Sequence, residues 1–309
     1  MKKLVVNLII LMMLVTIFAA PVAASNPEEP IVFGEADWPG IWGKDAVVEH
    51  ILENIGYEVE IKTVKNVIIY NRMVDKEIDV FLGSWMPSDK PTRDELKGQF
   101  KIVKTNLDEG LYTLGVPKYV WEAGVRSFTD LDKYAEKFDH KIYAGPIGWK
   151  FTKAMKKAIK NDIYGLGDWK LVNSSQTAMI ANMKRAVKKG DWIATLAWKP
   201  HWMNYVMDIK YLKDPKNIWV NAESWVDTIT RVGFKQDRPQ VHKFLTQFKT
   251  TTDMSNEWIY YIGYKDQEPE RVAQRWVKNN LDVVKDWLKG VKAKNGKQAF
   301  EVLKNKVNN

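Results

Sequence analysis

Two segments, IDVFLGSWMP (78–87) and IATLAWKPHW (193–202), end an apolar run with a tryptophan, one further residue and a proline. Proline has no N–H for a ladder and keeps the preceding residue extended, so each W-x-P marks a strand passing into a loop. Indole faces at such an exit can stack on a ligand or hold a cation through the ring quadrupole. Of the fourteen tryptophans, four stand at strand-to-loop junctions: Trp38 in GEADWPGIWG, Trp85, Trp149 after YAGPIG, and Trp198. Tyr112, in DEGLYTLGVP, stands where the chain would cross between two halves. Gly and Pro flank these rings, and no helical or strand period accounts for them as packing. Trp121, Trp169, Trp192, Trp219, Trp225, Trp258, Trp276 and Trp287 are read as core packing instead.

Convergent rings suit two kinds of ligand. Sugars stack on them but also need many Asp, Asn, Glu and Arg partners. A quaternary ammonium donates no ordinary hydrogen bond and is held best by π faces alone. Three or four desolvated contacts at ~2 kcal/mol each amount to ~6–8 kcal/mol, enough for about micromolar binding. The competing reading is an exported α/β enzyme acting on a small cationic metabolite, with Asp37 or Asp108 and Glu109 near strand ends as acid–base groups. Its motifs are missing: the four histidines are dispersed, and no HExxH, GxSxG, GxGxxG or P-loop occurs. Neither a metal site nor a cofactor is expected. A binding protein for another small solute, such as an amino acid, would need a charged pair that the aromatic set does not supply.

Short strands and amphipathic helices alternate around these rings. Strands are expected at 31–36, 58–64, 78–85, 141–149, 169–174 and 192–198, with helices at 45–57, near 67–77, after Ser127, and over 150–160 and 175–190. Gly56 stands where a C-terminal helix cap belongs. The last third reads as mostly helical. This βαβα order implies an α/β fold with a mainly parallel sheet. With no low-complexity linker, two lobes sharing a cleft are expected: residues 25–110 and 207–309 in the first, 111–206 in the second.

The chain opens with Lys2 and Lys3, an apolar stretch from Leu8 to Phe18, and Val22-Ala23-Ala24. These are the three regions of a cleaved signal peptide, expected over 1–24. With no cysteine there is neither a disulfide nor a lipidated anchor, so a periplasmic protein is expected. Losing Lys2 and Lys3 would lower the net charge from +9 to +7. The surplus lies in helices such as KAMKKAIKND, as solvated faces, so nucleic acid is not expected as a partner. A monomer is expected.

In order and spacing, DWPGIW, IDVFLGSWMPS, LYTLGVP, KIYAGPIGW and LAWKPHW resemble the periplasmic glycine betaine- and choline-binding proteins that feed ABC importers. The resemblance covers about residues 30–250 and is most specific at LGSWMP and WKPHW. It implies a two-lobed class II periplasmic binding protein fold that closes over its ligand, a membrane permease as partner, and Trp38, Trp85, Tyr112 and Trp198 as cage residues. Choline-specific members carry Asp two residues after the first tryptophan, where this sequence has Gly40, and Asn where it has Trp149. PIGW is similar to the betaine-binding branch, in which that Trp joins the cage. By the same resemblance, the backbone amides of Gly40 and Ile41, with His201, would hold a betaine carboxylate.

Overall fold

The structure is a computed structural model that describes residues 29–219 and 223–308. The expected signal peptide at 1–24 lies outside the described residues. Among the described residues, nine strands form one sheet: β1 (Ile31–Glu35), β2 (Val59–Thr63), β3 (Val80–Met86), β4 (Phe100–Pro117), β5 (Lys141–Ala144), β6 (Lys170–Asn173), β7 (Ala194–Lys199), β8 (Ile209–Tyr211) and β9 (Glu223–Arg231). Their order is β2-β1-β3-β9-β4-β7-β5-β6, with β8 paired to β4. Each end of the sheet is parallel, as helical crossovers require: β2, β1 and β3 at one end, β7, β5 and β6 at the other. The middle departs from the expected parallel sheet. There β4 and β9 run antiparallel to each other and to their outer neighbours.

The central strand β4 is not evident from alternation, because it carries register shifts between Ile102 and Lys104, Thr105 and Leu107, and Leu107 and Gly110. Each bulge turns the following side chains to the other face and erases the period of two. The first half of β4 pairs with β9; its second half pairs with β7 and β8.

Buried apolar side chains fall into two cores. One draws on residues between Ile31 and Phe100 and again between Ile229 and Leu303, the other on residues from Leu114 to Trp219. The helix α1 (Pro39–Asn54) begins earlier than the expected 45, since Pro39 suits a first helical position, where its missing N–H is no loss. It ends as expected, with Gly56 just past the end at φ +95°. Ser127 caps the first of two short 3₁₀ turns, 128–130 and 132–138, which stand where a single helix was expected. Among the described residues no helix is long and apolar enough to cross a membrane.

Candidate ligand-binding site

Both W-x-P tryptophans are the penultimate residues of their strands, and the Met86–Pro87 and Lys199–Pro200 bonds are both cis. Each turn is fastened from a few residues further on. The Trp85 N–H donates to Asp89 Oδ2 at 2.9 Å, and Asp89 also accepts from the Tyr70 hydroxyl (3.0 Å) and the Asn66 amide (2.8 Å). At the other turn the Asn204 amide donates to the carbonyls of Trp198 (2.9 Å) and His201 (3.1 Å), and accepts from the Tyr211 hydroxyl (2.6 Å).

Trp38 and Trp149 reach the site differently, as the residues that begin α1 and the helix Lys150–Lys160. Each indole lies over a glycine. A Cβ on Gly40 would fall 2.3 Å from the Trp38 ring, and one on Gly145 2.5 Å from the Trp149 ring. Gly40 is therefore required for the ring above it. It also lies in the first turn of α1, where backbone N–H groups lack intrahelical acceptors.

Tyr112 of β4 stands directly opposite Trp198 of β7, so both rings share one face of the sheet, 5.8 Å apart. Trp198 also meets Trp149 at 6.0 Å and His201 at 4.8 Å. On the side of the first core, Trp38 meets Trp85 edge to face at 5.6 Å. Two adjoining cavities lie between these groups and share Trp85 and Trp198. One, of about 520 Å³, is lined by Tyr112, Trp149, Phe151, Trp219, Ser88 and Ser224; the other, of about 670 Å³, by Trp38, Gly40, His201, Trp202, Lys184 and Tyr264. Lys150 and Lys184 are the charged residues in the two linings, and neither contains a carboxylate.

His201 is 8% exposed, and burial lowers its imidazole pKa to about 4, so it is neutral near pH 7. The Met203 N–H donates to its Nδ1 at 3.2 Å, which leaves the ring proton on Nε2. The Asn256 side-chain oxygen accepts from the His201 backbone N–H at 2.8 Å and holds the residue from the C-terminal helices. A neutral imidazole held in one tautomer is a fixed donor.

Of the eight residues expected from sequence, seven line the two cavities and Ile41 does not. Its side chain is fully buried over Gly83, where a Cβ would sit 2.3 Å from Ile41 Cδ1. Its N–H is also taken, donating to the Trp38 carbonyl at 3.1 Å. Trp219 was expected to be packing only; it is buried but lines the first cavity, 5.5 Å from Tyr112. Phe151, Trp202, Ser224 and Lys184 were not singled out, and only Trp202, inside the WKPHW motif, carried a visible signal. Trp225 is 38% exposed rather than packed. The acid–base alternatives lie elsewhere: Asp108 pairs with Lys249 at 2.8 Å, and Glu109 accepts from the Thr252 hydroxyl at 2.8 Å.

A binding site walled by rings between two α/β cores defines a solute-binding protein, and the comparisons name its family. The model for the substrate-binding domain of ABC-type glycine betaine transport systems matches residues 29–279, and the chain belongs to that family. Over 163 residues it is 36% identical to the glycine betaine/carnitine transport binding protein of Listeria monocytogenes. That match covers 52% of this chain and 53% of the relative, so the chain spans about half the length of that protein. Its fold is similar to that of an ABC-transporter choline-binding protein in complex with choline, with a TM-score of 0.67, 29% identity, and 90% of this chain and 98% of the other covered. Lactococcal OpuAC, closed around glycine betaine, gives a TM-score of 0.65 at 27% identity, covering 84% of this chain and 100% of that one. The expected α/β binding-protein fold is thus borne out, in a family of substrate-binding proteins rather than enzymes.

Proposed function

We propose that the protein captures a quaternary ammonium zwitterion, glycine betaine or proline betaine ahead of choline, and hands it to the membrane permease of an ABC importer from the periplasm. The observation that carries this reading is the composition of the walls: tryptophan and tyrosine faces, two lysines, a neutral histidine donor, and no carboxylate. Ring faces suit a trimethylammonium group. The His201 Nε2–H and the first-turn N–H of Gly40 suit a carboxylate, which an acidic wall would repel. Choline brings a neutral hydroxyl in place of that carboxylate and lacks the negative charge that the lysines attract.

The family and the two separate cores support a two-lobed arrangement, with β4 and β9 as the crossings. Ile209, Leu212 and Trp219 pack in the second core, so we assign the chain as far as Trp219 to the second lobe rather than ending that lobe at 206. Titration calorimetry with glycine betaine, proline betaine and choline tests the ligand choice. The betaines should bind at about micromolar Kd, and choline at least about tenfold more weakly. Tighter binding of choline than of either betaine would overturn the preference.

A further inference from the structure

A buried polar cluster ties α1 to the central strands and lines neither cavity. Lys44 of α1 is 1% exposed, and its ammonium donates to the Asn106 side-chain oxygen at 2.5 Å. The Asn106 amide in turn donates to the Leu82 carbonyl of β3 (2.9 Å) and to the Thr228 hydroxyl of β9 (3.0 Å). Its backbone carbonyl accepts from both the N–H (2.7 Å) and the hydroxyl (3.0 Å) of Thr250. Asn106 is the extra residue where the register slips between Thr105, opposite Asp227, and Leu107, opposite Val226. Such a bulge re-aims a side chain that regular pairing would place elsewhere.

One buried amide thus joins the helix that starts at Trp38, the strand that ends with Trp85 and Met86, and both central strands. Burying a lysine on a single amide oxygen is unfavourable, and an apolar residue of similar shape would serve packing as well or better. Burial accordingly lowers the Lys44 pKa to about 7. The cluster's connections lead to the two cage rings that meet edge to face.

We propose that Lys44 and Asn106 are positioning residues for ligand capture: they set α1 against β3 and so fix the Trp38–Trp85 wall of the cage. The inference rests on the capture of a quaternary ammonium ligand proposed above. A double-mutant cycle on glycine betaine affinity tests it, with thermal midpoints recorded for every variant. Lys44→Met should weaken binding about tenfold in the parent protein and less than about twofold in Trp38→Ala, because its effect passes through that ring. Lys44→Gln, which keeps a donor, should stay within about threefold of the parent. If Lys44→Met does not fold, Thr228→Val, which removes an Asn106 acceptor, goes through the same cycle. An equal factor in both backgrounds, or no loss in the parent, overturns the positioning role. A parent protein that binds no betaine or choline refutes the capture reading itself.

Discussion

Replacing His201 by glutamine should flatten the acid side of the folding-stability profile. The imidazole is shut between Trp198 at 4.8 Å and Trp202 at 5.2 Å, and desolvation lowers its pKa from 6.5 to about 4. In the unfolded chain the same group takes a proton near pH 6.5. Between those two values the unfolded state binds more protons than the folded one, so stability rises with pH. The contribution is complete above the unfolded pKa and is lost as pH falls through 6.5 toward 4. A gap of about two and a half pKa units corresponds to about 3 kcal/mol in total, of which about 2 kcal/mol disappears between pH 7.5 and pH 5. Urea denaturation of the ligand-free parent and of His201→Gln at those two pH values isolates this part, because the other histidines titrate in both proteins. The parent should lose about 2 kcal/mol more than the variant on going to pH 5. Equal losses would mean that His201 titrates as a solvated group, and the buried neutral donor would have to be abandoned.

Trp198→Ala removes one of the two rings shared by both cavities, and with it about 2 kcal/mol of cation–π attraction, so glycine betaine affinity should drop about 30-fold. A calorimetric loss under about threefold would contradict the cage. Gly40→Ala puts a methyl 2.3 Å from the Trp38 ring and must displace the indole; fluorescence titration should show affinity about tenfold lower, with the fold retained by circular dichroism. Parent-like affinity would show that the ring has room to move. Arg231→Leu should act on folding alone. Arg231 pairs with Asp79 and Asp237, both at 2.6 Å, and its side chain is 7% exposed, so its loss leaves two carboxylates unpaired and costs about 3–5 kcal/mol in urea denaturation. The folded fraction should bind betaine with unchanged Kd.

Much of the site was legible because strand exits have a local signature. In the W-x-P pairs, proline's missing donor ends the ladder within a residue or two of the ring, so Trp85 and Trp198 declare themselves. Trp38 and Trp149 are marked by the Gly and Pro around them, and the structure shows the two indoles lying over Gly40 and Gly145. Trp219 had no such mark. It lies just ahead of the return into β9, and a ring that both packs and lines a cavity looks like any core tryptophan in sequence. Lys44 was equally hidden, because it stands one residue ahead of the expected helix, and only the earlier start of α1 at Pro39 carries it into the interior.

By itself, the sequence determined what depends on neighbours along the chain: alternating strands and helices at both ends of the sheet, the caps at Ser127 and Gly56, and rings at strand exits. Tertiary structure decided what depends on distant segments. The bulged β4 and its partner β9 meet only across the sheet. Ile41 yields its amide to the Trp38 carbonyl and its side chain to the space over Gly83. The neutral state of His201 and its Nε2 proton follow from burial beneath Trp198 and Trp202 and from the Met203 N–H. Solvent exclusion is a property of the assembled cores, and no run of residues around position 201 contains it.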